Sequence, residues 1–293
     1  MPGRAPGAQA DKSVGRGLAR LIFVGALLAS SSAVAQDEQD DVTKALDPTA
    51  TQWSFQLAYQ PTPSWHDDTL GNGQTRPQGL DNFWQLRVVA PVPFETWTLL
   101  PRLTVRHYEA PSGADGLGNT ELFGLIIPRQ WDWGAGRMGL GPLVTAPGNP
   151  DVARDEWGYG VAGAAVNTSG DWFYGVLLTQ SWRGVDPKNL APGDSDTNPL
   201  GVAPFLNYQL PQQWYVGNGD MVIQYDWDSG EVYVPIGLRV GKVFVGEGGS
   251  WNLYGEYSTS LIYEDWPGAA KEHSFRINLT RTLPFTGFSF GKK

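Results

Sequence analysis

From residue 51 onward, apolar and polar residues alternate with a period of two, the repeat of a β-strand with one greasy and one polar face. Trp53, Phe55, Leu57 and Tyr59 alternate with Gln52, Ser54, Gln56 and Gln60. Trp84, Leu86 and Val88 alternate with Gln85 and Arg87, and Leu99, Leu103 and Val105 with Arg102, Thr104 and Arg106. Near the end Phe275, Ile277 and Leu279 alternate with Ser274, Arg276, Asn278 and Thr280. Extended over the chain, the pattern predicts twelve strands, near 51–60, 82–90, 97–108, 119–129, 137–146, 156–166, 171–182, 199–210, 213–226, 231–245, 251–263 and 272–283. Alternation fits both a soluble sandwich and a membrane barrel. Strand length leans to the barrel, because about ten residues are what a tilted strand needs to cross a bilayer.

The connections point the same way. Short links at 91–95, 131–136, 167–170, 211–213 and 246–250 alternate with longer ones that include 61–81, 109–118, 147–155, 183–198 and 264–271. Short periplasmic turns, longer external loops, an even strand count and both termini on one side describe an antiparallel transmembrane β-barrel. A soluble sandwich has no reason to alternate its loop lengths.

The tryptophans are informative. Trp97, Trp133, Trp172, Trp214 and Trp251 each sit at or just after a short turn. The opposite strand ends carry Tyr108, Trp157, Tyr159, Trp182, Tyr225, Trp227, Tyr263 and Trp266. Amphipathic rings at both ends with aliphatic residues between match the two aromatic girdles of a lipid-facing band. The Trp spacing also suits a propeller repeat, but each blade needs four strands where this pattern supplies two. Pro101, Pro128, Pro142, Pro204 and Pro235 fall in or near strands, where each forfeits a ladder hydrogen bond or marks a bulge.

The N-terminus changes the compartment. Arg4, Lys12, Arg16 and Arg20 precede the apolar stretch 21–35, which closes on Ala33-Val34-Ala35. That order reads as a cleaved secretory signal over 1–35. Cleavage removes four basic residues and one acid, leaving 17 basic and 29 acidic residues and a formal charge of −12. Residues 36–50 are acidic and free of aromatics, which predicts a mobile periplasmic segment outside a barrel spanning 51–293. The chain has no Cys, which excludes a disulfide framework and thiolate-ligated metal, and its overall charge of −9 argues against a nucleic-acid partner. The expected partners are outer-membrane lipid and a small-molecule solute, with no cofactor.

Catalytic motifs are weak. Gly158-x-Gly160-x-x-Gly163 matches the dinucleotide fingerprint by letter, but it lies inside an alternating strand where the fingerprint needs a helix. No G-x-S-x-G elbow occurs. Of three histidines only His66 clusters with acids, Asp67 and Asp68. A solvated acidic loop is the plain reading of that cluster, and a hydrolytic or metal site the alternative.

A charge within a barrel wall faces the lumen, since the lipid face penalises it by about 2–4 kcal/mol at mid-depth. The expected lumen-lining set is Arg87, Arg102, Arg106, Glu121, Asp226, Arg239, Glu256 and Arg276. Facing residues of an antiparallel hairpin sum to twice the turn's centre, which places Glu256 between Arg239 and Arg276 and predicts a bridge across three strands. The same arithmetic pairs Arg106 with Glu121. Gly139, Gly141, Gly158, Gly160, Ala162 and Ala164 should form a wall of small residues on two adjacent strands. That wall would leave room for solute or for large side chains from the opposite wall.

Several blocks carry a family resemblance: GLGNTELFGLIIPR (116–129), GLGPLVTAPG (139–148), WGYGVAGAAVNTSGDWFYGVLLTQSWRG (157–184), APFLNYQLPQQWYV (203–216) and VYVPIGLRVGKVF (232–244). They resemble the bacterial family called MetA-pathway of phenol degradation, also labelled "transporter" or, misleadingly, "neuromedin U". TAPGNP (145–150) departs from the Pro-Thr-Ala-type turn of that pattern. The resemblance implies an outer-membrane barrel that moves hydrophobic or aromatic compounds and has no catalytic motif. Two functions follow from the sequence: a channel for small solutes, or a non-transporting barrel that is either a hydrolase or a plugged structural barrel.

Overall fold

The computed structural model describes residues 42–47, 49, 52–66, 75–183, 198–266 and 268–284. The signal segment, residues 36–41, Asp67 and Asp68 lie outside them.

Twelve antiparallel strands form a closed barrel: β1 (Trp53–Thr62), β2 (Asp81–Val89), β3 (Trp97–Glu109), β4 (Thr120–Pro128), β5 (Gly136–Ala146), β6 (Gly158–Ser169), β7 (Trp172–Arg183), β8 (Pro199–Gln209), β9 in two pieces (Trp214–Asn218 and Ile223–Asp226), β10 (Val232–Gly246), β11 (Gly249–Ile262) and β12 (Lys271–Leu283). Each strand pairs with its sequence neighbours, and β1 pairs with β12 from Trp53–Leu283 to Tyr59–Ile277, which closes the sheet. Closure leaves no edge, so every wall strand has two partners.

Alternation decides which side chains face out. Leu57, Leu86, Leu122, Leu140, Leu238 and Ile277 stand on the outer surface, and Leu238 and Ile277 are each 62 % exposed. An apolar outer band of this extent is what a bilayer covers and what a soluble protein avoids. Trp133, Trp172, Trp214 and Trp251 are exposed at the short-turn end, as are Trp157, Tyr159, Trp182 and Trp227 at the long-loop end.

Most of the awkward prolines sit where pairing is broken. Pro235 lies at a bulge in β10, and Pro128 ends β4. Pro142 faces a gap in the β4–β5 ladder, which is paired at Phe123–Leu143 and next at Ile126–Leu140. Pro204 faces a gap of another kind. β8 pairs with β9 at 207–209 and again at 199–202, and between these stretches residues 219–222 leave the wall. Asn218 fills part of the gap: its side chain accepts a hydrogen bond from the Leu206 amide (2.5 Å) and donates to the Pro204 carbonyl (2.6 Å). One amide side chain thus serves two backbone groups that a strand would otherwise satisfy.

The TAPGNP loop is pinned to the piece Asp115–Leu117. The Asn149 amide donates to the Leu117 carbonyl and its Nδ2 to the Asp115 carbonyl (2.7 and 3.0 Å).

The segment expected outside the fold is, where described, docked inside the barrel. Residues 42–46 form a short helical turn, and Val42 is buried with Tyr215, Val243 and Tyr254, inward-facing residues of β9, β10 and β11. Gln209 donates to the Thr43 hydroxyl (2.7 Å), and Arg137 pairs with Asp47 at 2.9 Å. The physical reason is the spacing of Val42, Ala45 and Leu46, which puts three apolar side chains on one helical face despite the acidic surroundings.

Candidate functional site

Among the described residues, two cavities with a shared boundary lie in the lumen. One, of about 170 Å³, lies toward the short turns and is bounded there by Lys44, Ala45, Leu46, Asp47 and Thr49. The other, of about 550 Å³, reaches Trp266, Ala269 and Lys271 at the long-loop end. Arg87, Arg102, Leu177, Ala203, Asp220 and Met221 line both, so they mark the boundary between the two.

The boundary is built by the inward fold of β9. Asp220 crosses the lumen to Arg87 of β2 (3.6 Å) and Arg276 of β12 (3.5 Å). Glu256 of β11 anchors the fold from behind: it accepts from the Asp220 amide (2.8 Å) and from Nη2 of Arg239 (3.0 Å). Gly219 allows this approach, because a Cβ there would lie 2.6 Å from the Glu256 carboxylate. Arg276 also donates to Gln60 (3.0 Å), and Arg239 stacks over the Tyr254 ring at 4.0 Å.

The arithmetic for the charged hairpins has a mixed outcome. Arg239 and Arg276 do flank Glu256 in register. The Arg239–Glu256 pair forms, but the charge partner of Arg276 is Asp220, so the three-strand bridge runs through the inward fold. Arg106 and Glu121 do not pair. Glu121 lies opposite Thr104 and bonds Arg102 (3.3 Å), while Arg106 donates to Gln85 (3.1 Å). The loop between β3 and β4 is not a simple turn: Asp115–Leu117 pairs back onto β3, which shifts the register by two. Asp226 does not line either cavity. It caps a turn, accepting from the Ser229 amide and hydroxyl and the Asn198 amide.

The small-residue wall is filled from beside, not from across. Gly139 faces Ala164, Gly141 faces Ala162, Gly160 faces Leu143 and Gly158 faces Thr145. Phe123, Leu125, Ile127 and Leu143 of the neighbouring β4 and β5 pack over Ala162 and Ala164. A Cβ on Gly141 would collide with the Gly124 carbonyl, and one on Gly160 with the Gln180 carbonyl. These glycines serve close approach of backbones rather than open space.

Inside, the wall is two-faced. Leu100, Phe123, Leu125, Leu143, Ala162 and Ala164 make one apolar arc. The opposite arc, from β11 through β12 to β1, buries Asn252, Glu256, Arg276, Asn278, Thr280 and Gln60. Among the described residues, eight cationic and four anionic side chains line the two cavities, so this lumen is positive inside a chain of net charge −9. The Nε atoms of Arg87, Arg102 and Arg276 are buried and make no hydrogen bond within the protein. A buried guanidinium N–H without an acceptor is costly.

The docked segment carries its own ionisable group. Burial raises the Asp47 carboxyl above the ordinary value, an effect that Arg137 and two hydrogen bonds from Thr49 partly offset.

The histidines are dispersed. His66 stacks on Tyr263 at 3.9 Å, His107 meets Asp115 at 3.0 Å and His273 bonds the Tyr257 hydroxyl at 2.8 Å. The site expected from the sequence does not include Asp220, Met221, Leu177, Lys271 or the docked segment. The signal for Asp220 was present: Gly217-Asn218-Gly219-Asp220 interrupts the alternation within one strand.

No known family model matches the chain, and no curated protein shows significant similarity to it. Solved structures do. The chain is similar to the crystal structure of an outer-membrane channel from Pseudomonas putida F1, with 15 % identity, coverage of 81 % of this chain and 99 % of that one, and a TM-score of 0.58. It is also similar, at a TM-score of 0.44 and 11 % identity, to outer-membrane phospholipase A from Escherichia coli, covering 78 % of this chain and 92 % of that one. The β-domain of the Bordetella autotransporter BrkA gives a TM-score of 0.43 at 12 % identity, covering 80 % and 99 %. The likeness to the Pseudomonas channel shows the fold: this chain is a closed twelve-strand antiparallel barrel of the outer-membrane type.

Proposed function

We propose that the protein is an outer-membrane channel through which small organic solutes diffuse, with its short turns and N-terminus on the periplasmic side. The observation that carries this reading is the boundary where two lumen cavities meet, lined by Arg87 and Arg102 and crossed by Asp220. The docked residues 44–47 and 49 bound the smaller cavity at the short-turn end and do not fill the lumen. Here cavities of about 170 and 550 Å³ remain on either side of the boundary, and the surplus charge is positive. Cations that line a path through the lumen select for anions and for electron-rich rings, by charge and by cation–π attraction. The sequence resemblance to a family of hydrophobic-compound transporters supports the same reading, as does the likeness to the Pseudomonas channel. No catalytic role is assigned.

The test is reconstitution into liposomes with a panel of sugars, amino acids and phenols, read as solute entry. The reading predicts entry of small aromatic and anionic solutes faster than of neutral sugars of the same size. Liposomes as tight with the protein as without it would overturn it.

A further inference from the structure

The smaller cavity has two unlike sides. Its apolar side is Val89, Leu100, Phe123, Leu125, Ala164 and Leu177, contributed by β2, β3, β4, β6 and β7. At its inner end stand Arg87 and Arg102, at the boundary with the larger cavity. The Arg102 guanidinium lies over the Phe123 ring at 4.3 Å, so the positive charge and the apolar floor are in direct contact. Arg102 uses Nη2 on Glu121 and Arg87 uses Nη2 on Asp220, and both residues line the cavity. Two guanidinium groups stand beside a greasy wall, and the ligand that satisfies both halves is an anion with an apolar body.

Size narrows the class further. An apolar cavity of about 150 Å³ holds one benzene ring. At about 170 Å³ this one takes a single six-membered ring or a short branched chain, and not a long acyl tail. The planar, forked donors of arginine fit a carboxylate better than a halide. Asp220 and Glu121 already hold part of the arginine charge, so the site favours a ligand with one negative charge over one with two.

We propose that the small cavity is a binding site for ring-sized monocarboxylates, aromatic acids above all, with the carboxylate on Arg87 and Arg102 and the ring against Leu100, Phe123 and Ala164. The proposal rests on the reading of the lumen as a solute path, and it names the solute class that the path retains.

The experiment is calorimetric titration of the folded protein in detergent with benzoate, acetate and benzyl alcohol. Benzoate should bind at least tenfold more tightly than either fragment, since only benzoate engages both halves. Arg102→Gln should weaken benzoate about tenfold and leave benzyl alcohol unchanged. Ala164→Leu, which fills ring space, should weaken benzoate and leave acetate unchanged. Folding of each variant is checked by its gel mobility before and after heating, and if one does not fold the other carries the test. Benzoate binding no tighter than acetate, or untouched by the folded variants, overturns the site. A protein that conducts ions but does not discriminate benzoate overturns this inference alone. One that binds benzoate as described but conducts nothing overturns the channel reading and leaves the site standing.

Discussion

The two arcs of the barrel share one outer surface and differ completely within. Around β4 and β5 the outward residues Leu122, Ile126 and Leu140 have apolar partners behind them, Phe123, Leu125 and Leu143. Around β11 and β12 the outward residues Leu253, Ile277 and Leu279 back onto Asn252, Arg276 and Asn278. Lipid dictates one position in two everywhere, while the other is free to be greasy or charged. The fold therefore resides in the outward set and the function in the inward set. On the proposed reading, a lumen with one apolar and one charged side suits solutes that are themselves two-sided.

Each arc can be broken separately. The largest effect should come from Glu256→Ala, which strips Arg239 and the Asp220 amide of their acceptor. Removing one member of a buried ion pair costs about 3–5 kcal/mol, read as a fall in the urea midpoint followed by tryptophan fluorescence in detergent. A loss below about 1 kcal/mol would mean that Glu256 does not anchor the fold. On the apolar arc, Leu100→Ala should cost about 2 kcal/mol, the low end for a buried leucine because the side chain already borders a cavity. An equal or larger loss than Glu256→Ala would invert the comparison.

Arg276→Gln should cost about 1–2 kcal/mol, because Asp220 keeps Arg87 as a partner. It should also lower the preference for anions in planar bilayers. An unaltered selectivity would detach Arg276 from the path.

The smallest effect is the pH response of the docked segment. With its carboxyl raised by burial, Asp47 takes up a proton in the docked state before it does when free. Docking therefore strengthens as pH falls through the raised value and levels off below 3.8, the ordinary value. Protection of residues 42–47 from hydrogen exchange should rise toward acid pH in the wild type and stay flat in Asp47→Asn. Weaker protection at acid pH would contradict the sign.

The chain itself announces the wall more clearly than the site. All twelve strands are legible because a two-residue period is local and the bilayer enforces it along every strand. The register of Arg239, Glu256 and Arg276 is equally legible, since the tight turn at 247–248 fixes the centre of its hairpin. Where the loop between β3 and β4 folds back as Asp115–Leu117, the same arithmetic misplaces Glu121 by two residues. Asp220 escapes it altogether, because its partners lie across the lumen on β2 and β12 and no hairpin sum can reach them. The docked segment escapes because acidic composition hides the three-residue apolar face of Val42, Ala45 and Leu46.

The central claim is that the boundary crossed by Asp220 is an open, positive path. The reversal potential of the wild-type protein in a planar bilayer under a potassium chloride gradient tests it in one reading. The account predicts a conducting pore whose potential has the sign of chloride selectivity. A potassium-selective potential, or a bilayer that never conducts, would contradict it.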